Sequence, residues 1–181
     1  MIYLQRHTKP HVNTGICYGQ TDVALHPETK EQEIAAVLKN LEPLMFSKVY
    51  TSPLQRCRLL AEAICLHKGL NPPTVDARLM EMSFGEWELR RWEEIFLLPE
   101  GKEWFADYLV TATPQGESFL QVIERAKEFL SQVNQNESTL LVTHDGFIRA
   151  ALVNAGQLNM KHAFDERYPY GVLKEMSYTK K

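Results

Sequence analysis

Two histidines leave apolar runs in the same way, one in Leu4-Gln5-Arg6-His7 and one in Leu141-Val142-Thr143-His144. A third segment, Thr51-Ser52-Pro53-Leu54-Gln55-Arg56, follows another apolar run and carries a second arginine onward. If the three runs are parallel strands, then His7, His144, Arg6 and Arg56 all reach the carboxyl edge, where open α/β sheets bind their ligands. In a chain of net charge −3 such a meeting makes a local positive pocket. Phosphate suits it, because arginine forks match phosphate oxygens bidentately. Each residue has a plainer reading. A single strand-end histidine is more often structural than catalytic, and Arg56 could be a solvated helix residue paired with Glu62 or another acid. The coincidence of three strand ends is what favours chemistry. A metal set built on His7, His11 and His144 is set aside. Pro10 breaks the helix that His7 and His11 would need at i, i+4, and no carboxylate or cysteine stands at ligand spacing.

The elements that must position these residues can be read from periodicity. Ile2-Tyr3-Leu4 and Lys48-Val49-Tyr50-Thr51 are short strands, and Thr139–Thr143 is a strand buried on both faces. Residues 8–27 hold Pro10, Gly15, Gly19 and Pro27 without periodicity and read as a long functional loop. Helices are expected over 28–41 and over a stretch with Pro53 in its first turn, ending before Gly69. Two more are expected over 117–133 and 147–155, the last with Gly156 at its C-cap. Residues 78–116 are dense in aromatics without a clean period and read as short helices forming a cap. Trp87, Trp92, Trp104 and Phe105 are mostly core there, although such rings could also stack on a flat base. Strands alternating with helices give an α/β three-layer sandwich with a mainly parallel sheet and a small helical cap.

Composition narrows the classes. The chain has 181 residues, with 20 Lys+Arg against 23 Asp+Glu, which is one domain and not a strongly basic nucleic-acid binder. No apolar run approaches a membrane span of about 18 residues, and the N-terminus has no signal-peptide apolar core. Cys17, Cys57 and Cys65 are an odd number without C-x-x-C spacing, which favours reduced thiols in a cytoplasmic protein.

Several segments, taken in order, resemble the histidine phosphatase superfamily, the phosphoglycerate mutase-like group. Leu4-Gln5-Arg6-His7-Thr8 resembles its Arg-His-Gly signature, and Asn13 stands where that family commonly has an asparagine. Thr51-Ser52-Pro53-Leu54-Gln55-Arg56-Cys57 is similar to its second signature. Leu79-Met80-Glu81-Met82-Ser83-Phe84-Gly85-Glu86-Trp87-Glu88 is similar to its acid-bearing segment. Pro114-Gln115-Gly116-Glu117-Ser118-Phe119 and Leu141 to Arg149 complete the match. Two residues depart from the pattern: Thr8 and Asp145 each replace a family glycine. Within the superfamily, Gly15 to Val23 together with Phe84 to Glu88 looks most like alpha-ribazole phosphatases.

The resemblance implies phosphomonoester hydrolysis through a phosphohistidine on His7. Arg6, Arg56 and His144 would hold the phosphoryl group, Asn13 would add a neutral donor, and Glu81 would act as general acid with Glu86 and Glu88 as nearby rivals. It implies a small phosphorylated metabolite as substrate, most specifically alpha-ribazole 5′-phosphate, and neither a metal nor another cofactor. The alternatives are a broad-specificity phosphatase or mutase and, in a different class, a catalytically dead phosphate-binding or interaction module. Retention of a proton donor at Glu81 argues against the last.

Overall fold

Leu140, Leu141 and Val142 are apolar without interruption because their strand lies mid-sheet and is covered on both faces. In the computed structural model, which describes residues 1–178, this strand is β4 (Thr139–Thr143). It is flanked by β1 (Ile2–Arg6) and β2 (Lys48–Thr51), with the two-residue β3 (Thr74–Val75) outside β2 and β5 (Leu173–Met176) outside β1. The order is β3-β2-β4-β1-β5; β3, β2, β4 and β1 run parallel, and β5 is antiparallel.

Alternation along the strands sends Leu140, Val142 and Val49 to one face and Ile2, Leu4 and Leu141 to the other. The first face packs under α1 (Lys30–Leu41) and α2 (Gln55–Lys68), through Val37, Leu41, Leu60 and Ile64. The second packs under α5 (Phe119–Gln132) and α6 (Asp145–Asn154), through Val122, Ala126, Phe129, Phe147 and Ala151. Each fully buried Leu, Val or Phe contributes about 1.5–3 kcal/mol. The result is the expected three-layer sandwich. Residues 77–116 supply two 3-10 turns and the short helices α3 (Trp92–Leu97) and α4 (Pro99–Ala106). Trp87 and Trp104 join the larger core, whereas Phe105 is exposed.

Several element boundaries differ from the sequence expectation. Pro53 lies outside α2, which begins at Gln55 after an extended Leu54. Helix α5 begins two residues later than expected, because Ser118 caps it: the Ser118 side chain accepts from Gln121 N–H, and Gln121 answers at Ser118 N–H. Helix α6 begins two residues earlier than expected, with Asp145 in the first turn where a carboxylate meets the positive end of the helix. Gly156, at φ +69°, follows the helix end as expected. Strands β3 and β5 were not anticipated. The first is too short to show a period, and the second is an edge strand in which Lys174 and Glu175, on opposite faces, interrupt the apolar residues and hide the alternation.

Candidate active site

The register of the sheet builds the site. Arg6 lies alongside Thr143 on the neighbouring parallel strand, so the next residues, His7 and His144, leave the same edge together. Their rings are 5.1 Å apart, centroid to centroid. On the other side of β4, Ser52 follows β2 and places its hydroxyl 2.9 Å from Nε2 of His144. Arg56, in the first turn of α2, is fully buried, as are His7 and His144 to within 1%. The solvated alternative for Arg56 is therefore wrong; Glu62 pairs instead with Arg58, on the exposed face of the helix.

A hydrogen bond fixes the tautomer of His7. His7 Nδ1 donates to the carbonyl oxygen of Thr8 at 2.7 Å, because a carbonyl can only accept. The lone pair of neutral His7 is thus on Nε2. Nε2 of His144 faces both the Ser52 hydroxyl and the Cys57 sulfur, the latter at 3.3 Å, and Ser52 Oγ also accepts from Leu54 N–H at 3.3 Å. Burial, and then the positive charges of Arg56 and Arg6, hold His7 well below the usual imidazole range; burial and Arg56 do the same for His144. Both rings are neutral at neutral pH.

The arginines are partly engaged. Arg56 gives Nη1 to Thr21 O at 2.9 Å and Nη2 to Gly19 O at 2.6 Å, while its Nε is buried without a partner. Arg6 gives Nη1 to the carbonyl of Tyr168, and its Nε is likewise buried and unpartnered. Two orphaned cationic donors beside two neutral histidines are what an oxyanion would satisfy. The bidentate fork expected at Arg56 is correspondingly restricted to Nε and the remaining terminal N–H groups.

Glu81 completes the cluster. Its Oε1 accepts from Met82 N–H at 2.9 Å and from Gly146 N–H at 2.9 Å. Burial, and then the charge of Asp145, raise its pKa above the usual carboxylate value, against the opposing pull of those two N–H groups. A Cβ on Gly146 would lie 2.2 Å from Glu81 Oε1, so a side chain there would have to push the Glu81 carboxyl aside. The rivals separate cleanly. Glu86 is exposed. Burial would raise Glu88, but bonds from Thr21, Gln20 and Phe84 hold it below its ordinary value.

Asn13 does not join this cluster. It is exposed on the loop after β1 and lines a cavity of about 340 Å³ with Ile16, Tyr18, Trp92 and Tyr170. Tyr18 and Tyr170, which are not among the sequence-derived site residues, link that cavity to the arginines. Their hydroxyls are 2.6 Å apart, the Tyr170 ring lies 4.2 Å from the Arg6 guanidinium, and the Tyr18 ring lies 5.5 Å from that of Arg56. The two departures from the family pattern each leave a buried polar atom unpartnered. Thr8 is buried with its carbonyl on His7 and its hydroxyl free, and Asp145 pairs with Arg149 at 2.9 Å through Oδ2 while Oδ1 has no partner. Among the described residues no three of His, Cys, Asp and Glu gather as a metal set, and no helix is long and apolar enough to cross a membrane.

A mainly parallel sheet with paired histidines and arginines at its carboxyl edge forms a cationic site suited to a phosphate group. The chain belongs to the histidine phosphatase superfamily (branch 1), whose sequence profile matches residues 2–181. As such it is a phosphoric monoester hydrolase. It is 30% identical over 164 residues to a Hydrogenobacter thermophilus protein named for phosphoserine phosphatase activity, covering 82% of this chain and 75% of the relative. It is 28% identical over 159 residues to the adenosylcobalamin/alpha-ribazole phosphatase of Escherichia coli, covering 81% and 74%. Among solved structures, phosphoglycerate mutase from Thermus thermophilus superimposes with TM-score 0.73 at 28% identity, over 95% of this chain and 90% of that one. The alpha-ribazole phosphatase of Shigella flexneri shares the fold with TM-score 0.84 at 21% identity, over 95% and 87%.

Proposed function

We propose that this chain hydrolyses phosphomonoesters through a phosphohistidine on His7 and without a metal, with alpha-ribazole 5′-phosphate as the substrate. The observation that carries the reaction is the pair of buried, unpartnered Nε donors of Arg6 and Arg56 beside the His7 and His144 rings. In the first step the Nε2 lone pair of His7 attacks phosphorus, and the bond from phosphorus to the ester oxygen breaks. Glu81 gives its proton to that departing oxygen. In the second step water attacks the phosphohistidine and passes a proton to the Glu81 carboxylate. The P–N bond breaks, and phosphate and neutral His7 are regenerated. Arg6, Arg56 and His144 meet the charge on the equatorial oxygens throughout, so the arginines supply the neutralisation that a divalent ion supplies elsewhere.

Residues 78–116 cap the site in this reading, and the leaving group sits in the cavity of Asn13, Ile16, Tyr18, Trp92 and Tyr170. The aromatic walls suit a flat base, and Asn13 faces the substrate there and not the phosphoryl group. The similarity to the Escherichia coli alpha-ribazole phosphatase supports the substrate. The three buried, unpaired cysteines support a cytoplasmic setting.

The test is phosphate release with EDTA present, comparing kcat/KM across para-nitrophenyl phosphate, alpha-ribazole phosphate, phosphoserine and 3-phosphoglycerate. The highest value is expected for alpha-ribazole phosphate. A higher value for another ester would reassign the substrate, loss of activity in EDTA would overturn metal independence, and no release at all would establish a binding module.

A further inference from the structure

Glu88 is seven residues beyond Glu81 in the same segment, yet its carboxylate turns away from acid chemistry and grips a loop. Oε1 accepts from Gln20 N–H at 2.8 Å and from Phe84 N–H at 3.2 Å. Oε2 accepts from Thr21 N–H at 2.5 Å and from the Thr21 hydroxyl. The opposite side of the same turn belongs to Arg56, which donates to Gly19 O at 2.6 Å and to Thr21 O at 2.9 Å. Gln20 N–H and Gly19 C=O are the two ends of one peptide group. Glu88 and Arg56 are therefore joined through a single amide, carboxylate on its N–H and guanidinium on its C=O.

Each charge polarises that amide in the direction that strengthens the other's bond. The turn is fastened at two further points. A Cβ on Gly19 would lie 2.1 Å from Met82 O and 2.9 Å from Glu88 Oε1, so only glycine lets the turn pack this closely on residues 82–88. Asp22, at its far end, accepts from Gln55 N–H at 2.7 Å, one residue before Arg56.

We propose that Glu88 is a positioning residue for Arg56, holding the Gly19–Thr21 turn so that its carbonyls fix the guanidinium with Nε free for a phosphoryl oxygen. This rests on the phosphatase reading above. Glu88 touches neither substrate nor reacting atoms in this role. Its loss lets the carbonyls swing and the guanidinium drift with them, and a shift of about 1 Å at a positioned group costs about a hundredfold in rate.

The test is a double-mutant cycle on the intact protein. Glu88→Gln, Arg56→Lys and the double variant are assayed on para-nitrophenyl phosphate and on an alkyl phosphate, with thermal melts to confirm folding. Glu88→Gln keeps the size but presents an NH₂ group to the Thr21 donors. Expected is a fall in kcat of about ten- to a hundredfold on both substrates, with KM moved much less. In the Arg56→Lys background the same change should cost about twofold or less, because interacting residues are non-additive. An equal loss in both backgrounds would overturn the proposal, as would a loss confined to the alkyl ester, which would make Glu88 an acid. If Glu88→Gln fails to fold, Thr21→Val removes only the hydroxyl contact and must show a smaller loss with the same dependence on Arg56. An inactive wild type would instead overturn the phosphatase reading itself.

Discussion

The imidazole of His7 and the carbonyl oxygen of Thr8 are 2.7 Å apart, and that one bond decides which nitrogen of the ring can react. With Nδ1 donating, Nε2 carries the lone pair; with the ring buried beside two guanidinium groups, the pair stays unprotonated. The side chain of Thr8 plays no part in this contact. The Thr8 hydroxyl itself is buried without a hydrogen-bond partner.

Arg56→Lys should weaken turnover strongly. Lysine keeps the charge but cannot hold Gly19 O and Thr21 O while also presenting Nε to a phosphoryl oxygen. The loss should be about 2–4 kcal/mol of transition-state stabilisation. Steady-state kinetics on para-nitrophenyl phosphate within about twofold of wild type would contradict it.

Glu81→Gln should separate substrates by leaving group. An alkoxide needs a proton as it departs, whereas para-nitrophenolate hardly does, so the alkyl ester should slow by about 10²–10⁴-fold and the aryl ester far less. In the wild type the alkyl-ester profile should fall as pH rises, along a limb displaced above the ordinary carboxylate value because burial and Asp145 hold the Glu81 proton. Glu86→Gln should leave both substrates unchanged, since Glu86 is exposed. Equal slowing of both esters by Glu81→Gln would remove the acid assignment.

Gly146→Ala should act like a mild form of the same lesion. The new Cβ meets the flexible end of Glu81 at 2.2 Å, so the fold can tolerate it while the carboxyl is pushed from its seat. Melting temperature near that of wild type with selective loss on alkyl esters is expected. Unchanged alkyl-ester turnover would show that the seat does not matter.

Stability should respond to acid through the buried histidines. Their folded pKa values lie below the unfolded value of 6.5, so the unfolded chain takes up protons first. The stability they contribute is complete above 6.5 and is lost as pH falls from there towards the folded values. Glu81 works in the opposite sense: its pKa is raised on folding, so its contribution is present below 4.5 and lost as pH rises through the folded value. Thermal melts in a Glu81→Gln background isolate the histidine effect, and His144→Asn should flatten the decline below pH 6.5. A decline of unchanged steepness in that variant would place the acid sensitivity elsewhere.

Much of this was legible in the chain because chemistry and periodicity coincide at strand ends. The run into His144 is apolar since β4 is buried on both faces, and Arg6, His7 and Arg56 follow from neighbouring strands in the same way. What escaped was set by contacts across long separations in sequence. Tyr170 covers Arg6 from a segment without periodicity, Ser52 meets His144 across the sheet, and β5 pairs with β1 from the far end of the chain. Spacing alone leaves Glu88 beside Glu81 as a rival acid, because spacing reports proximity and not the direction a carboxylate faces. Asn13 follows the family spacing but stands outside the buried cluster, at the cavity wall.

The central claim is that His7 Nε2 carries the phosphoryl group between the two steps. Wild-type protein, acid- and base-quenched separately during turnover of an alkyl phosphate, should hold a phosphoprotein that survives base and is lost in acid. Peptide mapping should place the phosphate on His7 at Nε2, and His7→Ala should abolish both the adduct and turnover while keeping the fold. Phosphate found on another residue, or turnover persisting in His7→Ala, would contradict the account.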